Sequence, residues 1–122
     1  MPCLHPSPPH RPAQPSAAAF QILLALADGE KHGYAIMQEI SARTAGAVRV
    51  GPGTLYRTIQ HLLDAGWIEE RDERPDPHLD DERRCYYHIS AIGRSVASAE
   101  AERLGALVRS AQTKLALAGN PE

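Results

Sequence analysis

The sequence predicts a mainly α-helical protein with one small β-hairpin. Two observations lead to this fold class: several segments carry apolar residues at helical spacing, and two short strand-like runs follow at residues 67–71 and 84–89. A length of 122 residues allows one domain with a modest core, and an apolar content of 43% is ordinary for a soluble globular protein.

The N-terminal segment, residues 1–15, contains six of the ten prolines and no hydrophobic periodicity. This composition predicts a disordered or polyproline-like tail. Cys3, His5 and His10 lie in it, but a chain so rich in proline offers no scaffold that would hold them around a metal ion. We therefore predict no metal site in the tail.

Two helices are predicted next. The first covers residues 17–28, with Ser16 as N-cap and Gly29 as terminator, and it has two apolar faces, which predict two packing partners. Ile22 and Leu26 fall on the second of these faces. The second helix covers residues 33–44 and points Ile36, Met37 and Ile40 inward, and an extended piece at residues 48–50 follows it.

The third helix begins in the run GPGTLYRTIQHLLDAGW, residues 51–67. Pro52 suits the first helical turn, and Gly51 and Gly53 keep bulk away from a helix end that could approach a phosphate backbone. Helical spacing places one apolar stripe inward, and Gly66 ends the helix. The inward residues are Leu55, Ile59, Leu62 and Leu63. The outward residues are Thr54, Arg57, Gln60 and His61, with Tyr56 at the boundary.

The two predicted strands are joined by a long polar loop and are followed by a helix capped by Ser90. This last helix, over residues 90–118, is rich in alanine and carries only a thin apolar stripe, so it would be marginal alone. We expect it to pack against a second copy of the chain.

Three helices followed by a hairpin form the layout of a winged helix-turn-helix, in which the third helix enters the major groove of DNA. Its outer side chains suit base edges: Arg57 can pair with guanine, Gln60 with adenine, and Thr54 can meet a thymine methyl or a phosphate. The predicted organisation is thus a tail (1–15), a DNA-binding domain (16–89) and a dimerisation helix (90–118).

Three runs of the sequence resemble the PadR family of bacterial transcriptional regulators. They are ILLALADGEKHGYAIMQEI (22–40), VGPGTLYRTIQHLLDAGWIEE (50–70) and DDERRCYYHISAIGR (80–94). The resemblance covers about residues 19–110 and implies a winged-helix homodimer, usually a repressor, that dimerises through its long C-terminal helix. The single helix after Ser90 indicates a shorter member.

The resemblance also implies roles for individual residues. Lys31 and Tyr34 would contact phosphate, Gly33 would allow close approach of the backbone or serve simply as a turn glycine, and Tyr56 would lie on the DNA side of the third helix. Adding the residues chosen for their chemistry gives the full set of expected DNA contacts: Lys31, Gly33, Tyr34, Gly53, Thr54, Tyr56, Arg57, Gln60, His61, Arg83 and Arg84.

The expected dimer interface combines the stripe of the last helix with the second face of the first. Its residues are Ile22, Leu26, Leu104, Leu107, Val108 and Ala111. Two-fold symmetry would place two recognition helices about 34 Å apart, which predicts an inverted-repeat operator.

The predicted hairpin is the wing of the winged helix-turn-helix, and the loop between its two strands, called the wing loop below, is unusually acidic. Residues 69–82 hold eight acidic residues against two arginines, whereas the rest of the chain holds 11 basic and 7 acidic residues. Because phosphate repels such a loop, we expect wing contacts only at the strand bases, on Arg71, Arg83 or Arg84.

Other functions are less well supported by the sequence. Cys85 and His88 lie three apart on a strand and face opposite sides, so they cannot bind one metal ion without a bulge. No catalytic motif and no cofactor site occurs, which argues against an enzyme. A winged-helix module that binds only proteins is the main alternative, but the outward face of the third helix is polar.

The resemblance bears on regulation, and the hydropathy of the chain bears on location. The resemblance suggests a small aromatic or drug-like effector near the dimer interface, and control by abundance alone stays open. The chain lacks an apolar run of the roughly 18 residues that a membrane span needs, so we expect a cytoplasmic protein.

Overall fold

The computed structural model describes residues 14–48, 50–71 and 85–119, with side chains up to residue 116. Within these ranges the chain is mainly helical and carries one small antiparallel sheet. The helices are α1 (Ala17–Leu26), α2 (Gly33–Arg43), α3 (Pro52–Ala65) and α4 (Ala91–Gly119). The strands are β1 (Lys31–His32), β2 (Ile68–Arg71) and β3 (Tyr86–Ile89). The predicted fold class and the winged-helix layout are confirmed.

The sheet has the order β1-β3-β2 and therefore contains one strand more than the predicted hairpin. β3 lies in the centre, with Lys31 opposite Tyr87 on one side and Ile68 opposite Ile89 on the other. β1 could not be predicted from the sequence, because two residues are too few to show the alternation of apolar and polar residues that marks a strand. It ties the start of α2 to the wing.

The core is formed by apolar side chains from all three N-terminal helices and from the sheet. Its best buried members each expose less than 2% of their surface: Ile22, Leu23, Leu26, Ile36, Ile40, Leu55, Leu62 and Ile68. Ile22 and Leu26 expose 0% and 1% in the single chain, so no surface is left for a partner to cover. The expectation that they belong to a dimer interface is therefore wrong: the second apolar face of α1 is covered by the chain's own core.

Most predicted helix boundaries agree with the structure to within two residues. Ser16 caps α1 by accepting a hydrogen bond from the Ala19 backbone N–H at 3.1 Å, and α1 ends at Leu26 rather than at residue 28. Gly66 ends α3 in the left-handed conformation, with φ of 79°. Residues 48 and 50 form no strand, and Arg49 lies outside the described residues.

The end of α3 is fastened to the start of α4 by Ser90. Its Oγ donates to the Gly66 carbonyl at 2.6 Å and accepts from the Gly93 backbone N–H at 3.1 Å, which makes Ser90 the predicted cap of α4. Its backbone N–H donates to the Trp67 carbonyl at 2.9 Å. These bonds fix where α4 leaves the wing.

Only the first part of α4 packs against the body of the protein. Gly93, Ala97 and Glu100 are buried, whereas nearly all described side chains beyond Leu104 are exposed. None of the described helices combines the length and the apolarity that a bilayer crossing requires.

Most of the predicted N-terminal tail (1–13), the wing loop and the arginines expected at its base, Arg83 and Arg84, lie outside the described residues. Their assigned roles stay predictions, as do the domain boundaries.

Candidate nucleic-acid interface

The amphipathic character of α3 defines the candidate interface. Leu55, Ile59 and Leu62 are buried, with at most 2% of their surface exposed. The predicted outward residues are all exposed: Thr54, Tyr56, Arg57, Gln60 and His61. The division of α3 into a buried apolar face and an exposed polar face is therefore confirmed.

Arg57 lies at the centre of this exposed face and has no ion-pair partner among the described residues. Three other Lys or Arg residues are described before β3, namely Lys31, Arg43 and Arg71, and each has an ion pair with a carboxylate. Arg57 has no ion pair or hydrogen bond among the residues the structure describes. Its guanidinium keeps all five N–H donors available for a polyanion or a base edge.

The N-terminus of α3 is open to solvent. Gly51 is the N-cap and provides no side-chain hydrogen bond, and Pro52 occupies the first turn. A Cβ at Gly53 would meet no atom of the described residues within 4 Å, so the surface beside Gly53 is open. Free backbone N–H groups and the positive end of the helix dipole make such an end suitable for a phosphate group.

Gln60 and His61 complete the exposed polar face of α3. The side-chain amide of Gln60 donates to Asp64 Oδ1 at 3.1 Å, one turn further along α3. The amide of Gln60 has a second N–H and an oxygen for contact with adenine, whereas the neighbouring carboxylate of Asp64 would repel phosphate. His61 is exposed.

Lys31 is held within the protein. Its Nζ donates to the Ala25 carbonyl at 2.6 Å and to Asp28 Oδ1 at 2.8 Å, and lies 3.4 Å from Glu39 Oε1. Burial opposes the charged form, but the hydrogen bond to Asp28 and the charge of Glu39 outweigh burial, so the pKa of Lys31 lies above its usual value. Lys31 joins the end of α1 to α2 in the free chain, and its contact with phosphate stays a prediction.

At the start of α2, a buried glycine is followed directly by an exposed tyrosine. Tyr34 exposes 60% of its surface, as expected of a side chain that contacts phosphate. Gly33 is buried, and the group that closely approaches its backbone belongs to the protein rather than to DNA. A Cβ on Gly33 would overlap the hydroxyl of Tyr56. His32 caps α2, with Nδ1 accepting from the Ala35 backbone N–H at 3.2 Å.

The described base of the wing offers little positive charge. Arg71 lies 3.5 Å from Glu30 Oε1, and Glu69 and Glu70 are exposed beside it on β2. His88 Nε2 lies 2.7 Å from Glu69 Oε1 on the neighbouring strand β2. No group of three or more potential metal ligands occurs in the part of the chain that the structure describes.

A second surface lies on α4 beyond the body of the protein. We call it the α4 stripe: Leu104, Leu107, Val108, Ala111 and Leu115. Leu107, Val108 and Leu115 expose 57%, 53% and 69% of their surfaces, Ala111 is exposed and Leu104 is half-buried. Large apolar side chains repeated along one side of an exposed helix are typical of a protein contact.

Comparisons with known proteins agree with this geometry. Residues 22–99 match the Transcriptional regulator PadR-like family. The transcriptional regulator Rv3488 of Mycobacterium tuberculosis is 33% identical over 99 residues, which cover 81% of this chain and 86% of that protein.

Solved structures share the fold. A transcriptional regulator from Clostridium thermocellum superposes with a TM-score of 0.67 at 25% identity, over 80% of this chain and 87% of that one. Bacillus subtilis PadR in complex with operator DNA gives a TM-score of 0.58 at 20% identity, over 67% of this chain and 45% of that one.

Proposed function

Because this chain belongs to the PadR-like family of transcriptional regulators, we propose that it acts as a homodimeric repressor that reads an inverted-repeat operator with α3. The observation that carries the proposal is Arg57, an exposed cation on a polar helix face that has no partner in the part of the chain that the structure describes. The structurally similar Bacillus subtilis PadR forms a complex with operator DNA, which supports the same mode of action here.

Each part of the interface has a separate task. Arg57 pairs with the O6 and N7 atoms of guanine in the major groove, and Thr54 meets a thymine methyl or a phosphate. The open N-terminus of α3 and the exposed Tyr34 bind the phosphate backbone, which fixes the register of the helix. Sequence preference therefore comes mainly from Arg57.

Dimerisation supplies the second recognition helix. The α4 stripe leaves large apolar side chains in water, and pairing with a second copy would cover them. A two-fold axis through this contact orients two copies of α3 toward successive major grooves, roughly 34 Å apart. The operator should then contain two inverted half-sites.

Control of binding has two candidate routes. A small molecule would release the protein only if it bound one dimer geometry better than another. α4 contains no aromatic residue, so a flat ligand would have to stack on residues such as Phe20 or Trp67, which are both half-buried against the core. Control through abundance alone requires no such site.

The rival function is a winged-helix module that binds only proteins. Such a surface relies on exposed aromatic or apolar anchors. The exposed face of α3 offers one, Tyr56, among polar residues. The polar face and the exposed cation of Arg57 favour DNA.

The proposal is tested by DNA binding across a salt series. The purified protein is titrated with the DNA upstream of its own gene and with unrelated DNA of equal length. We expect preference for the upstream DNA and an affinity that falls with salt, because bound phosphates release counterions. The Arg57→Ala variant should lose about 1–3 kcal/mol of binding free energy and most of the preference.

Arg109→Ala is the matched control. It removes the same charge from an exposed position on α4, on the side of the helix away from the α4 stripe. Its binding should equal that of the wild type. Weak and equal binding of both DNAs by the wild type would count against the proposal, as would equal losses in the two variants.

A further inference from the structure

The first residue of α2 is a glycine for reasons of space. Gly33 is buried and lacks the positive φ that would call for glycine. A Cβ built on it would overlap Tyr56 Oη and lie 2.9 Å from Tyr56 Cζ and 3.1 Å from Cε1. The ring of Tyr56 on α3 thus rests directly on the backbone at the start of α2.

Tyr56 spans from this buried contact to the surface. It exposes 47% of its surface, so only one edge of the ring is enclosed. Tyr87 of β3 is buried, and its pKa is raised to about 12 by burial first and then by the charges of Cys85, Glu70 and Tyr56. The Tyr56 side chain thus lies partly against the start of α2 and partly in solvent.

The contact joins the two halves of the candidate interface. Tyr34 follows Gly33 on α2, and Arg57 follows Tyr56 on α3. Both Tyr34 and Arg57 are exposed. The Gly33–Tyr56 contact lies one residue from each of them and joins the start of α2 to α3.

We infer that Gly33 is a positioning residue for DNA recognition: by accepting the Tyr56 ring, it sets the spacing between the phosphate-binding start of α2 and the base-reading face of α3. This inference rests on the proposed function. It assigns to Gly33 an effect on DNA affinity without any contact with DNA.

A methyl group at this position should displace a side chain rather than unfold the protein. The atoms in its way belong to the outer end of Tyr56, which can rotate toward solvent. Alanine also favours helix more than glycine does. Gly33→Ala should therefore keep or slightly raise the melting temperature while it weakens DNA binding, and a packing defect would lower both.

The test is a double-mutant cycle on operator affinity with four proteins: wild type, Gly33→Ala, Tyr56→Ala and the double variant. We expect Gly33→Ala to weaken binding about tenfold, the loss that one misplaced bidentate contact causes. In the Tyr56→Ala background the same methyl group should have no effect, because the ring that it displaces is gone.

Gly53→Ala provides the comparison within the interface. A Cβ at Gly53 meets no protein atom within 4 Å, so any effect of Gly53→Ala on affinity arises on the DNA side. That effect should persist in full in the Tyr56→Ala background. The cycle thereby distinguishes positioning through Tyr56 from direct obstruction of DNA.

A readout without DNA separates this inference from the proposed function. In the free protein, Gly33→Ala should shift the aromatic NMR signals of Tyr56, and Gly53→Ala should leave them unchanged. Equal losses from Gly33→Ala in both backgrounds, unchanged Tyr56 signals, or a fall in melting temperature that parallels the fall in affinity would each overturn the inference. Absence of specific binding by the wild type, with the Tyr56 signals shifted as expected, would instead defeat the proposed function and leave the contact intact.

Discussion

At the scale of single residues, Glu100 carries the clearest electrostatic signature. It is the buried charged residue among those that the structure describes, with 6% of its surface exposed. Both carboxylate oxygens accept hydrogen bonds from Arg103, at 2.9 Å from Nε and 2.6 Å from Nη2. This bidentate pair lies where α4 leaves the body of the protein.

The pair predicts a defined dependence of stability on pH. The hydrogen bond from Arg103 is the main reason that the pKa of Glu100 lies below its usual value of 4.5. The carboxylate therefore contributes its full stabilisation above about pH 4.5 and loses it as the pH falls through the lower pKa of the folded state. Melting temperatures between about pH 3 and 7 should fall less steeply at the acid end for Glu100→Gln than for the wild type.

Glu102→Gln is the control for this comparison, because Glu102 is exposed on the same helix and has no ion pair among the described residues. Its profile should follow that of the wild type. Parallel profiles for Glu100→Gln and the wild type would show that the Arg103 pair does not contribute to acid stability.

The residues of the candidate interface show how far side-chain roles can be predicted. Helical spacing suffices to predict which residues of α3 face outward, because a face depends only on the helix period. The role of Lys31 could not be predicted, since it depends on Asp28 and Glu39, which only the folded chain brings to the same ammonium group. The close contact at Gly33 could not be predicted for the same reason, since its neighbour Tyr56 lies on another helix.

At the scale of elements, the junction between the wing and α4 is held by close backbone contact. Gly93 lies against the first residues of the wing: a Cβ there would overlap the Trp67 carbonyl oxygen and lie 2.9 Å from the Trp67 carbonyl carbon. Ser90 bonds both Gly66 and Trp67 at the same place. The direction of α4 is thus determined by backbone atoms.

Gly93→Ala should therefore be strongly destabilising. The obstructing atoms belong to the backbone and cannot rotate away, so overpacking should cost about 1–3 kcal/mol of unfolding free energy. Gly53→Ala introduces the same methyl group into open space and should be neutral or slightly stabilising. Chemical denaturation of both variants measures the difference, and similar values for the two would refute the close contact at Trp67.

The elements were predicted where their signals are local. Proline at the start and glycine at the end mark α3, and Ser90 marks the start of α4, because capping depends on a few neighbouring residues. β1 has no local signal, since its two residues form a strand only through pairing with Tyr86 and Tyr87. The burial of Ile22 and Leu26 was missed because it depends on how the other elements close around α1.

At the scale of the whole molecule, the α4 stripe predicts the oligomeric state. We expect Leu107→Ser to shift the protein from dimer toward monomer, because it places a hydroxyl where apolar surface would be buried. Ile92→Ser is the matched control: Ile92 exposes 58% of its surface against 57% for Leu107, but it lies at the start of α4, before the α4 stripe begins. Sedimentation velocity should show a loss of dimer for Leu107→Ser alone.

Two results would contradict this view of the assembly. A monomeric wild type at micromolar concentration would leave the α4 stripe without the proposed partner. Equal loss of dimer in the Leu107→Ser and Ile92→Ser variants would mean that the contact between the two copies is not confined to the α4 stripe.

The proposed role of Arg57 is to read a base. Base-pair substitution in the operator is the direct test of this role. Dissociation constants are measured for the wild type and Arg57→Ala on the operator and on its single base-pair variants. For the wild type, replacing one G·C pair in each half-site should cost about 1–3 kcal/mol of binding free energy. Arg57→Ala should bind the original and the substituted operator equally well at that pair and still discriminate at the others. If Arg57→Ala kept the same preference at every base pair and lost only overall affinity, Arg57 would be a phosphate contact and its proposed role would be wrong.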